Sequence, residues 1–207
     1  MIGQPEIAEA LTRTASALRA ARDELTALDQ AAGDGDLGIT AAKMADALDA
    51  HAAGPAAEDL GKYVGQAGLA VNRVASSTMG TLVATALMRA GMAIKGAETL
   101  TAEDLARMFE AADKGVQERG KAKLGDKTVV DAMHPAAVAF CDAVARGEDP
   151  SAAARAALEA ARRGRDEVTP LQNRIGRASW VGERTRGAVD PGCALFVLVM
   201  EALAGAR

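Results

Sequence analysis

Three aspartates, Asp29, Asp34 and Asp36, fall within a stretch of eight residues and are interleaved with Gly33, Gly35 and Gly38. Turning such a segment back on itself converges the carboxylates, and two of them about 4 Å apart repel by about 4 kcal/mol at an effective dielectric of about 20. A cation relieves that repulsion. All-oxygen ligands select a hard ion, and three carboxylates leave positions for water or phosphate, which suits Mg²⁺ better than Ca²⁺. No glutamate stands where an EF-hand loop would need its twelfth residue. Taken alone, the segment also reads as a solvated capping loop for the next helix.

Three further segments carry chemistry-bearing residues. Ala75 to Thr81, ASSTMGT, places small hydroxylic residues at the start of an apolar run. A helix beginning there exposes free N–H groups to an anion, although Ser or Thr at that place is also the ordinary N-cap. Gly120 to Thr128, GKAKLGDKT, and Gly176 to Gly192, GRASWVGERTRGAVDPG, combine glycines with cations and end at helix starts. Arg177 can hold a phosphate bidentately. Each loop alone could be a solvated basic turn. Together the four segments supply metal ligands, anion donors and a charge clamp, the parts of a nucleotide phosphate site.

The elements positioning these segments read as helices. Pro5 opens a face carried by Ile7, Leu11, Ala15, Leu18 and Leu25, which breaks at Asp29–Gly38. Helical spacing resumes from Thr40 to about His51, from Pro55 to about Val74 and from Met79 to about Lys95. Thr101 with Asp104 resembles a capping pair for a helix reaching Arg119. A helix from Thr128 to Ala145 carries Pro135, which predicts a kink or an irregular turn. Asp149 and Pro150 open a helix to Val168, and Asp190 with Pro191 and Gly192 opens the terminal one. Eight helices in an all-α bundle of antiparallel neighbours follow. The 207 residues suit one domain, and with only one Trp, one Tyr and three Phe the interior must be filled by Ala, Leu, Val and Met, which favours close helix packing.

A net charge of -4 lacks the basic footprint of a sequence-independent nucleic-acid binder. The charged, amphipathic N-terminal segment does not resemble a secretory signal, and the most apolar run, Leu195–Leu203, is too short to span a bilayer. A soluble cytoplasmic protein without a membrane partner is expected. Cys141 and Cys193 read as buried, reduced thiols. His51 and His134 lack a ligand-spaced partner and read as structural or exposed, and methionines including Met79, Met92 and Met133 read as gap-filling core.

Leu28 to Gly38, LDQAAGDGDLG, with GDKTVVDA at Gly125 to Ala132 and the long motif from Gly176 to Gly192, resembles the L subunit or L domain of dihydroxyacetone kinases. The likeness covers essentially the whole chain, 1–207, as a single L-type domain. It implies an eight-helix up-and-down barrel with ATP or ADP bound at one end and two Mg²⁺ ions on Asp29, Asp34 and Asp36. It further implies nucleotide contacts from Leu37, Gly38, Thr40, Ala75, Ser76, Ser77, Gly120, Val129, Arg177, Asp190, Pro191 and Gly192, with Arg177 catalytic. The chain departs from the family pattern where Leu37 stands for His, Thr40 for Asn, and Asn72–Ser76, NRVAS, for a glycine-rich turn.

The implied activity is phosphoryl transfer to dihydroxyacetone or a related short ketose such as a tetrulose. The sugar would be held by a separate K subunit, and phosphate would come from ATP or, through bound ADP, from a phosphotransferase-system phosphoprotein. A second copy of the chain is a further expected partner. The competing expectation is a regulatory module that binds nucleotide to dock on a partner such as a transcription factor.

Overall fold

The computed structural model describes residues 1–206, among which there are ten α-helices and no β-strand. In chain order they are α1 (Gln4–Ala20), α2 (Arg22–Ala32), α3 (Leu37–Ala52), α4 (Leu60–Val74), α5 (Thr78–Ala93), α6 (Ala102–Gly120), α7 (Val129–Ala145), α8 (Pro150–Val168), α9 (Ala178–Val181) and α10 (Pro191–Leu203). A 3-10 turn, Gly182–Thr185, follows α9. The all-α class agrees with the sequence, but the count of eight does not. Ala21, at φ -90° and ψ 8°, divides the first run into α1 and α2, and the segment before α10 folds into α9 and the 3-10 turn.

The helices pack in a cycle. α1 lies on α3, α3 on α4, and so on through α5, α6, α7 and α8 to α10, which returns to α1 and also touches α2 and α7. Residues ahead of the first aspartate therefore belong to the same packed body. The interior is rich in alanine: Ala15, Ala41, Ala45 and Ala67 are buried with Leu18, Met44 and Val71 in one cluster, and Ala132, Ala136, Ala153 and Ala157 with Phe140 and Leu158 in another. Small side chains let helix axes approach closely.

Six helix starts are fixed by side-chain caps. Asp59, Ser77, Thr101, Thr128, Asp149 and Asp190 each accept a hydrogen bond from a backbone N–H of the following turn, an arrangement worth about 1 kcal/mol apiece. The cap at Asp59 starts α4 at Leu60, so Pro55 lies in the preceding loop rather than opening the helix. Pro135 sits inside an uninterrupted α7 and leaves the Asp131 carbonyl without its helical donor. Gly164 of α8 packs on that carbonyl, and a Cβ there would come within 2.0 Å of it. Two further readings change: Met92 is exposed rather than core, and Cys141 is only half-buried, whereas Cys193 is buried. Among the described residues no helix is long and apolar enough to cross a membrane.

Candidate nucleotide and metal site

All four interruptions of the helix pattern meet at one cavity of about 190 Å³. The helices α3, α5, α7 and α10 each present their first residue to it, Leu37, Thr78, Val129 and Pro191. Four helix N-termini bordering one space place positive dipole ends around it, an arrangement that favours a polyanion.

On one side of the cavity Asp29, Asp34 and Asp36 bring one carboxylate oxygen each within 4.8 Å of one another. Asp29 belongs to the last turn of α2 rather than to the loop, and its Oδ2 accepts a hydrogen bond from the Leu37 N–H at 3.0 Å. Gly33 lies close beside it, where a Cβ would stand 2.8 Å from Asp29 Oδ1 and displace that carboxylate. Gly35 then turns the chain at φ 77°, in the left-handed region. Burial, and secondarily the Asp29 carboxylate, holds Asp36 above the usual carboxylate range, while Lys43 pulls the other way. Three converging carboxylates, one of them already strained toward protonation, fit a hard divalent cation.

Arg177 contacts the carboxylate of Asp34 and lies 3.5 Å from that of Asp36, so the fourth interruption closes over the first. Gly120, Val129, Asp190, Pro191 and Gly192 line the cavity, together with Ser77. Ser77 caps α5 through Gly80 N–H at 3.2 Å, and its Oγ also accepts from Thr40 Oγ1 at 3.1 Å. Four residues carried over by resemblance do not line it: Gly38, Thr40, Ala75 and Ser76. Thr40 stands behind Ser77, Ala75 is buried and Ser76 exposed. Gly38 faces α2, where a Cβ would meet Thr26 Oγ1 at 2.1 Å and the Arg22 carbonyl at 2.2 Å. It is a helix-packing glycine.

Lys127, Thr128 and Asn173 also line the cavity, and sequence reasoning gave none of them a role. Asn173 donates through Nδ2 to the Lys127 carbonyl at 2.6 Å and to Asp190 Oδ2 at 2.8 Å. Its own Oδ1 is buried without a hydrogen-bond partner. Asp190 caps α10 through the Cys193 N–H at 2.9 Å, and burial pushes its carboxyl up against those hydrogen bonds. The Cys193 thiol is pushed up by the same burial and donates to the Thr128 carbonyl.

A family model described as the DAK2 domain matches residues 31–205. The chain belongs to the DAK2 domain family. This DAK2 chain is 30% identical, over 98% of itself and 97% of the relative, to the ADP-binding subunit DhaL of the PEP-dependent dihydroxyacetone kinase of Escherichia coli strain K12. It is 32% identical to an L-erythrulose kinase of Pectobacterium atrosepticum, over 91% of this chain and 34% of that one. The dihydroxyacetone kinase of C. freundii, solved in complex with AMP-PNP and Mg²⁺, superposes with a TM-score of 0.71 at 25% identity, covering 97% of this DAK2 chain and 33% of that kinase. The DAK2 chain thus spans about a third of the length of those two kinases.

Away from the cavity, His134 of α7 is not partnerless: its Nδ1 lies 2.7 Å from Oδ2 of buried Asp113 on α6. No sequence spacing could show a pair formed across two helices. His51 stacks on Tyr63 and bonds its carbonyl, a structural role as expected.

Proposed function

We propose that this DAK2 domain is the nucleotide-binding phosphoryl-transfer subunit of a short-ketose kinase, working with a separate sugar-binding K-type subunit. The observation that carries the reading is the shared cavity, bordered by four helix N-termini and three converging carboxylates, with Arg177 in contact with the latter. It is supported by the names of the relatives: an ADP-binding kinase subunit, an erythrulose kinase and a kinase solved with a nucleotide analogue and Mg²⁺. The regulatory reading has no such support, since docking alone would not need three converging carboxylates.

Asp29, Asp34 and Asp36 would hold Mg²⁺, two ions in the fullest form of the proposal, with residues 1–207 acting as one unit in the cytoplasm. Bound Mg²⁺ supplies charge neutralisation to the nucleotide phosphates. The first-turn N–H groups of α5 and α7, with that of Gly192 behind Pro191 in α10, orient the phosphate chain, and Arg177 stabilises charge developing on the transferred group. Leu37 contributes to the wall rather than a hydrogen bond, because its N–H is already held by Asp29. In this reading the K-type partner would bring the acceptor sugar to the phosphate end of the cavity. A phosphotransferase-system phosphoprotein feeding bound ADP, and self-association, remain parts of the same proposal.

Calorimetric titration of the purified chain with ADP, with and without Mg²⁺, tests the binding half of this reading. Tight binding that requires the metal is expected. Binding of equal strength in excess chelator would sink the metal role, and no binding in either condition would sink the nucleotide role.

A further inference from the structure

The lysine of the GDKT motif stands in the cavity wall, where a phosphate-binding role would be the first thought. Its geometry excludes that role. Lys127 is 1% exposed, and Nζ donates to the carbonyls of Thr169 at 2.9 Å, Leu171 at 2.8 Å and Thr185 at 2.6 Å. An ammonium has three protons, and all three are held by carbonyls, so none remains for a nucleotide.

The three carbonyls belong to one irregular segment, 169–187, that carries Arg177. Further bonds bind the same segment to the Lys127 neighbourhood: Arg174 N–H to the Asp126 carbonyl at 3.0 Å, and the Asn173 amide to the Lys127 carbonyl. Within the segment, Gly187 N–H reaches the Thr169 carbonyl at 2.9 Å and Asn173 N–H reaches Thr185 Oγ1 at 3.2 Å. Lys127 also holds a left-handed backbone at φ 59°, uncommon for a residue with a side chain. A buried charge and an unfavourable backbone angle at one residue persist only where surrounding structure compensates them. Here both serve to fold a long loop back onto α7.

We infer that Lys127 is a positioning residue whose buried ammonium anchors the 169–187 segment and thereby holds Arg177 at the aspartate cluster. The inference rests on the proposed role of Arg177 in phosphoryl transfer. Burial also lowers the Lys127 ammonium below its usual range, with Asp190 opposing.

The test uses the full chain. In the wild type, acylation with an amine-reactive ester, read by mass spectrometry, should modify Lys127 at least about tenfold more slowly than exposed Lys121 and Lys123, with or without Mg²⁺-ADP. Reaction as fast as theirs, or protection that appears only with nucleotide, overturns the anchor. In Lys127→Met, hydrogen exchange should quicken at least about tenfold across 169–187 and stay unchanged in α4 and α5; unchanged exchange across 169–187 overturns the anchor whatever the turnover.

With a ketose-binding partner, Lys127→Met should lower kcat far more than it weakens ADP binding. Lys127→Met combined with Arg177→Met should then be no slower than Arg177→Met alone, because one acts through the other. Additive losses would overturn positioning through Arg177. A wild-type chain that transfers phosphate with no ketose-binding partner would overturn the functional reading instead, leaving the exchange result standing.

Discussion

The guanidinium of Arg177 lies against the carboxylate of Asp34 and 3.5 Å from that of Asp36, joining the aspartate loop to a segment near the other end of the chain. A cation that enters the carboxylate cluster must compete with this guanidinium, which itself lines the cavity. The same residue is thus placed for both partners of the proposed chemistry.

Asp34 is half exposed and tests the metal assignment without disturbing the core. Asp34→Asn should weaken ADP binding in Mg²⁺ by about tenfold or more while leaving the melting temperature nearly unchanged, because a charged ligand is lost rather than a packing contact. Calorimetry showing unchanged, metal-independent affinity in the variant would remove Asp34 from the metal site.

Arg177→Lys keeps the charge and loses the planar fork. Turnover with the cognate partner should fall by about 10²-fold or more while ADP affinity changes little, since the fork matters most to charge that develops during transfer. Parallel initial-rate and calorimetric measurements compare the two, and equal losses would make Arg177 a ground-state binding residue only.

Acidity acts on the same cluster through Asp36. Burial raises its folded pKa, so its contribution to the stability of the metal-free chain is fully present below the unfolded pKa and is lost as pH rises through the folded one. Metal binding runs the opposite way, because a protonated carboxyl is no ligand. Mg²⁺ affinity, followed by titration at falling pH, should decline sooner than an ordinary aspartate would cause, and Asp36→Asn should flatten that decline. An unchanged profile in the variant would assign the titration elsewhere.

Gly38 separates a packing role from a phosphate contact. A Cβ would clash with Thr26 Oγ1 and the Arg22 carbonyl, so Gly38→Ala should cost about 1–3 kcal/mol of stability, seen as a lower melting temperature. The folded variant should bind ADP as the wild type does. A weakened ADP affinity without a drop in melting temperature would return Gly38 to the nucleotide.

What the sequence revealed of the site follows from residue type and punctuation. Asp29, Asp34, Asp36, Arg177 and Asp190 stand at glycine-marked breaks in an otherwise helical pattern, and breaks in such a chain are where function concentrates. Lys127 and Asn173 escaped because their partners are mostly backbone groups of distant segments, which leave no spacing to read. The division at Ala21 escaped for a related reason: an alanine-rich run has no residue that signals a break. Helix starts at Asp149 and Asp190 were legible from their caps, whereas Gly38, read as part of the aspartate break, and Thr40, read as the start of the next helix, both lie inside α3, which begins at Leu37 after Asp36.

The central claim is that this chain is half of a kinase. The most direct measurement mixes it with ATP, Mg²⁺ and dihydroxyacetone or erythrulose, with and without a K-type sugar-binding partner, and follows sugar phosphate. The account predicts nucleotide binding but no turnover by the chain alone, and turnover when the partner brings the hydroxyl within about 3 Å of the phosphoryl group. Robust phosphorylation by the isolated chain would contradict it.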